Sequence, residues 1–149
     1  MPKDTRKIRI LFLCTANSCR SQMAEGWARH LKADSIEPYS AGIRPHKLSR
    51  RATQVMREAG VDISDQTSEH VDDYTNVAFD YVITVCDDAK EQCPTFPGKT
   101  KTIHKQFDDP AAAIGAEDQV MAEFRRIRDE IKAFIETMPE SLEKSRKKQ

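Results

Sequence analysis

The chain has 149 residues, and its 24 Lys and Arg balance 24 Asp and Glu, for a formal net charge of zero. That balance excludes recruitment of nucleic acid or an anionic membrane by a global field, and leaves any steering to local charge. A charged fraction of 32% and a hydrophobic fraction of 38% point to one ordinary soluble domain with a single core.

No run approaches the roughly 20 apolar residues that cross a bilayer. Residues 1–7 are basic, but the apolar stretch after them is too short for an export signal. The expected location is the cytoplasm. In that reducing compartment Cys14, Cys19, Cys86 and Cys93 point to metal binding, catalysis or core packing rather than structural disulfides.

Ile8 to Leu13 is a short apolar run compatible with a buried strand. It ends at Cys14, where a loop of small polar residues begins. From Ser21 to Leu31 the apolar positions 23, 24, 27, 28 and 31 recur at helical spacing. Ile36 to Ala41 reads as a second strand, closed by Gly42. Ser49 caps a helix running through Glu58, with Gly60 as its terminator. Phe79 to Val85 is the third strand, and Cys86 follows it directly. Residues 87–99, with two prolines and a glycine, read as a surface loop with room for a helical turn. Thr102 to Phe107 supplies a fourth strand. A helix over Glu117 to Glu136 carries Val120, Met121, Phe124, Ile127, Ile131, Phe134 and Ile135 at core spacing. After Pro139 the polar tail, 140–149, is expected to fray, so the single domain spans 1–139. Strands alternating with helices predict an α/β fold with a parallel sheet covered on both faces. Ligands then bind at the carboxyl ends of strands. Cys14 and Cys86 each follow a strand, so both can reach one edge.

The segment Cys14-Thr15-Ala16-Asn17-Ser18-Cys19-Arg20-Ser21 is wedged between strand and helix. A loop curling into a helix start turns several backbone N–H groups inward, a cradle for a tetrahedral oxyanion. Arg20 adds a fork of charged donors. The same dipoles favour thiolate at Cys14, which can attack the central atom of the bound anion. The competing reading is a buried cysteine with a surface arginine; the strand–loop–helix frame favours chemistry. Ser21 either donates to the Cys14 sulfur or caps the helix. Asn17 either braces the loop or occupies a turn.

Cys86 and Cys93 are separated by six residues. Placed beside Cys14, Cys86 can attack a sulfur adduct there, and Cys93 can then carry the oxidation to the surface. That sequence requires a large local movement. Zinc at the four cysteines lacks paired Cys-x2-Cys knuckles. Cys19 either packs under the loop or traps oxidised Cys14. In Asp108-Asp109-Pro110, Asp109 is the preferred acid to protonate a leaving oxygen, against a plain turn role for either aspartate. The four histidines form no zinc-spaced cluster.

Taken together in order, Cys14-Thr-Ala-Asn-Ser-Cys19-Arg20-Ser-Gln-Met-Ala-Glu-Gly-Trp27, Tyr39-Ser-Ala-Gly42, Cys86-x6-Cys93 and Phe107-Asp-Asp-Pro110 resemble the thioredoxin-coupled arsenate reductases, a branch built on the low-molecular-weight protein tyrosine phosphatase fold. The likeness covers roughly residues 7–137. It implies a four-stranded parallel sheet flanked by helices, with one active-site rim. By that resemblance Cys14 matches the nucleophile, Arg20 the oxyanion-binding arginine and Asp109 the acid before proline. Cys86 and Cys93 match the second and third redox cysteines. Cys14 would attack arsenate, arsenite would leave on attack by Cys86, and Cys93 would complete a Cys86–Cys93 disulfide for thioredoxin to reduce. The resemblance implies no tightly bound cofactor. Some relatives carry potassium, to which Asn17, Glu25 and Ser40 correspond, and Glu69 stands where such a relative has aspartate. The expected partners are arsenate and thioredoxin, with no nucleic acid or membrane, and the expected state is a monomer. The nearest enzyme alternative is a low-molecular-weight tyrosine phosphatase using Cys14, Arg20 and Asp109. Hydrolysis needs water rather than two further thiols, and no paired tyrosines follow Pro110. An oxyanion sensor without turnover is the non-enzymatic reading.

Overall fold

The first apolar run becomes the centre of the sheet. In the computed structural model, β1 (Ile8–Cys14) pairs in parallel with β2 (Ile36–Gly42) on one side and β3 (Tyr81–Thr84) on the other. β4 (Lys101–His104) adds to β3, giving a four-stranded parallel sheet of order β2-β1-β3-β4. Ile10, Leu11, Phe12 and Leu13 are all fully buried. A continuous apolar run, instead of an alternating one, is what a strand covered on both faces requires. The structure describes residues 6–96 and 98–147. Residues 1–5 of the basic start, Pro97 of the 87–99 segment and 148–149 of the tail lie outside it.

Helices α1 (Arg20–Leu31), α2 (Arg50–Glu58) and α3 (Asp87–Gln92) connect successive strands, and α4 (Glu117–Glu136) and α5 (Glu140–Lys147) follow the sheet. Ser49 caps α2, its hydroxyl accepting from the Ala52 amide at 3.1 Å. Gly60 has φ +88°, a left-handed conformation that glycine adopts without penalty. α1 packs on α4, where Trp27 is buried and its indole N–H reaches the Arg128 carbonyl at 3.1 Å. The α4 residues at core spacing are buried, except Phe134, which is half-buried against the Phe107 ring. Among the described residues no helix is long and apolar enough to cross a membrane.

Four elements differ from the sequence expectation. β3 and β4 are shorter than predicted, ending at Thr84 and His104. Val85 and Phe107 are buried all the same, the latter by packing beyond the strand end. The 87–99 segment opens with a true helix, α3. The tail does not fray over 140–147: it forms α5, and the folded unit runs past Pro139. Its anchors are Leu142, fully buried, and Glu143, which accepts from the Tyr81 hydroxyl at 2.6 Å. One apolar residue in a charged stretch has no periodicity to read. Leu142→Ala is expected to destabilise the fold by about 2–4 kcal/mol; urea unfolding checks this, since a detached tail would leave the midpoint unchanged.

Candidate active site

Cys14 ends β1 at the carboxyl edge of the sheet, and the next five residues curl into α1. The curl is fixed from outside. The carbonyls of Cys14, Thr15, Ala16 and Ser18 accept from the amides of Ile43, Arg44, His46 and Ser49 at 2.8–3.1 Å. The Asn17 carbonyl accepts from the buried Gln22 amide group at 2.9 Å. In a trans peptide the N–H points opposite its C=O, so the N–H groups of Thr15, Ala16, Asn17, Ser18 and Cys19 face the interior of the loop. The Asn17 amide shows this directly by donating to the Cys14 sulfur at 3.2 Å. Asn17 itself has φ +51°, a conformation asparagine tolerates better than most residues.

The sulfur has a second partner, the Ser21 hydroxyl at 2.8 Å. Asn17 Nδ2 donates to that same Ser21 oxygen at 2.8 Å, which leaves the Ser21 proton free to point at the sulfur. The Ser21 hydroxyl and the Asn17 amide are thus both placed where they can donate to Cys14 Sγ. Asn17 Oδ1 accepts from the Glu69 amide at 2.8 Å, tying the loop to the segment before the 3-10 turn Val71–Tyr74.

Gly42 lies directly behind the loop. A Cβ there would stand 2.8 Å from the Thr15 carbonyl oxygen and 2.9 Å from the Asn17 nitrogen. Both are backbone atoms that cannot swing away. Gly42→Ala is expected to cost about 1–3 kcal/mol of stability and to weaken phosphate binding; a thermal melt with and without phosphate measures both. A variant with unaltered phosphate affinity would show that this contact does not shape the loop.

Arg20 opens α1 with its side chain only 11% exposed, its Nη1 donating to the Phe107 carbonyl at 3.0 Å. Its Nη2 stands 3.8 Å from Asp109. Asp109 also caps the 3-10 turn Pro110–Ala112 through the Ala111 amide at 2.9 Å, so its turn role and its place beside Arg20 coexist. Asp108 instead faces Arg126 on α4, at 3.1 Å. Of the two aspartates, it is the one preferred from the sequence, Asp109, that stands beside Arg20.

Cys86 lies just past β3, on the strand neighbouring β1, and is buried. Thr15 of the anion loop places its hydroxyl 3.2 Å from the Cys86 sulfur, a contact that sequence reading missed because no local spacing relates positions 15 and 86. Cys86 is also the N-cap of α3, its sulfur accepting from the Ala89 amide at 3.4 Å. Cys93 follows the last residue of that helix. Seven helical steps separate the pair by about 10 Å, beyond the roughly 7 Å that a disulfide spans. Burial pushes the Cys93 thiol up from its ordinary value. Burial does the same at Cys19, against a smaller pull from the hydroxyls of Ser49 and Ser18. Both are thiols at neutral pH. All four cysteines are free.

The residues that correspond to a potassium site are brought together only in part. Glu25, Ser40 and Glu69 line one cleft of about 700 Å³, but Asn17 is fully buried outside that lining. The two Glu25 oxygens are taken by the Ser40 hydroxyl at 2.5 Å and the Arg29 guanidinium at 2.7 Å. Arg29 already supplies the positive charge at that carboxylate. Among the described residues no group of three or more His, Cys, Asp or Glu is arranged to hold a metal.

A family model described as low molecular weight phosphotyrosine protein phosphatase matches residues 9–148. The chain is 52% identical over 135 residues to an arsenate reductase of Bacillus licheniformis, an alignment covering 88% of this chain and 97% of that one. Among solved structures it is similar to an arsenate reductase in a phosphate-binding state, with TM-score 0.70 and 31% identity over 88% of this chain and 95% of the other. A thioredoxin-dependent arsenate reductase of Corynebacterium glutamicum gives TM-score 0.68 and 26% identity, over 91% of this chain and 63% of that one. The inward-facing amide loop, the paired strand-end cysteines and these similarities agree: the chain belongs to the low molecular weight phosphotyrosine protein phosphatase family, in its arsenate reductase branch.

Proposed function

We propose that this protein reduces arsenate to arsenite through successive thiol exchanges at Cys14, Cys86 and Cys93, and that thioredoxin reduces the resulting disulfide. The observation that carries this reading is the Cys86 sulfur held 3.2 Å from the hydroxyl of Thr15, the residue next to Cys14. A second thiol at that place has no use in hydrolysis and a direct one in reduction.

Arsenate enters the amide loop, where the inward N–H groups and Arg20 balance its charge. The Cys14 sulfur attacks arsenic, and Asp109 protonates the departing oxygen, which leaves as water. Cys86 then attacks the Cys14 sulfur. The arsenic–sulfur bond breaks with its electron pair left on arsenic, which departs as arsenite while a Cys14–Cys86 bond forms. Finally Cys93 attacks the Cys86 sulfur, Cys14 leaves as a thiolate, and the Cys86–Cys93 bond remains for the reductant. This last exchange requires α3 to open, because the helix keeps the two sulfurs' residues too far apart. Opening also uncovers Cys93, relieving the burial that raises its thiol above the ordinary value. A phosphatase reading employs Cys14, Arg20 and Asp109 equally well but leaves Cys86 and Cys93 idle. Cys19, a buried thiol under the loop, takes no step.

The test is turnover of arsenate by the purified protein with thioredoxin, its reductase and NADPH. One NADPH consumed per arsenite released is expected, with phosphate competing for the same loop. Arsenate binding without arsenite production would sink the enzyme reading, and saturating phosphate that leaves arsenate binding untouched would sink the shared site.

A further inference from the structure

Given the three-thiol relay proposed above, what holds α3 shut controls its last step. α3 has six residues, well below the about 12–15 at which an isolated helix becomes even marginally stable. Ala89 is the one residue within it that is buried. The helix therefore depends on tertiary hydrogen bonds, and these converge on Asp88. Asp88 Oδ2 accepts from Arg44 at 2.7 Å and from the Thr15 hydroxyl at 3.4 Å. Asp88 Oδ1 accepts from Gln92 at 3.1 Å. Arg44 lies just after β2, Thr15 belongs to the anion loop, and Gln92 is the residue immediately before Cys93. A single carboxylate thus ties the start of α3 to its end and to two fixed segments of the site's rim. On the other side Asp87 meets His104 of β4 at 3.1 Å.

We propose that Arg44 and Asp88 are positioning residues that latch α3 closed, so that release of their ion pair sets how fast Cys93 takes over the oxidation from Cys86. In that exchange Cys93 gives its proton to solvent and attacks the Cys86 sulfur of the Cys14–Cys86 bond. Cys14 departs as a thiolate with the electron pair, and the Cys86–Cys93 bond replaces the one broken, with no further oxidant. The closed latch withholds Cys93 until the second exchange, while the Thr15 contact at Cys86 does not depend on it. Arg44 and Asp88 are both solvent-accessible, so each latch contact is weak and the expected effect is about two- to fivefold.

The experiment follows the full-length reduced protein through a single turnover of arsenate, with rapid alkylation and mass mapping of disulfides. Arg44→Ala and Arg44→Glu should form the Cys14–Cys86 bond at the wild-type rate and the Cys86–Cys93 bond about two- to fivefold faster, with the charge reversal at the upper end. Arg44→Lys should stay near wild type. Amides of residues 87–93 should exchange with deuterium faster by a similar factor in the same variants, before any arsenate is added. Raising salt to about 1 M should accelerate the second exchange in wild type and leave Arg44→Ala unaffected. Unchanged amide exchange at α3, or a second disulfide forming no faster in both variants, overturns the latch. Wild-type protein that turns over with Cys86 and Cys93 reduced throughout sinks the underlying relay instead, a different signature.

Discussion

Cys93→Ser protein, reduced and mixed with excess arsenate, is expected to release about one equivalent of arsenite and then stop. Cys14 and Cys86 lie at the ends of neighbouring parallel strands, bridged through Thr15. The first two exchanges therefore need nothing from position 93. The product is a Cys14–Cys86 bond at the base of the loop, where in the reduced protein both residues are at most 4% exposed. An external reductant cannot align with a sulfur so enclosed, since exchange proceeds by direct attack along the disulfide. Cys93 is half-buried at the end of α3, nearer the surface than either. Its loss should lower steady-state turnover by at least about 10³-fold with the burst preserved, in the range seen when a covalent step is removed. Quench-flow with arsenite detection and mapping of the trapped disulfide measure it. Sustained wild-type turnover by this variant would remove Cys93 from the relay.

Arg20→Lys should reduce kcat/KM for arsenate by about 10²–10³-fold, the usual cost of losing one oriented donor to a developing oxyanion. Arg20 does two things at once because its guanidinium is planar and forked. One nitrogen is fixed on the Phe107 carbonyl at 3.0 Å, and the other stands 3.8 Å from Asp109. Lysine offers a single point of charge on a flexible stem and cannot hold both places. The same change should weaken phosphate as a competitive inhibitor, which separates loss of anion binding from loss of the acid. An effect under tenfold on both quantities would mean that the backbone amides bind the anion without help from Arg20.

The fold class was legible in this chain because its central strand carries four consecutive apolar residues after Arg9. A run such as Ile10 to Leu13 can be buried only under layers on both faces, and the helical spacing in α1 and α4 supplies them. The short polar loop between that strand and α1, with Cys14 and Arg20 at its ends, was equally readable, because a strand-to-helix turn has few ways to run. What composition misjudged was the end of the chain, where Leu142 and Glu143 anchor α5. The limits of β3 and β4 were also misread, since Val85 and Phe107 are buried beyond the strand ends while their amides still bond to the Leu13 and Val85 carbonyls.

Local pattern therefore determined the parallel α/β sheet and the strand–loop–helix frame that begins at Cys14, both of which depend on neighbours within a few residues. Tertiary structure alone decided how Thr15 reaches Cys86 across 71 positions, why Glu25 is matched by Arg29 and how Asp88 ties α3 to the rim. Those contacts join residues from separate strands and loops. No periodicity encodes such meetings, and only the packing of the sheet edge brings the groups within bonding distance.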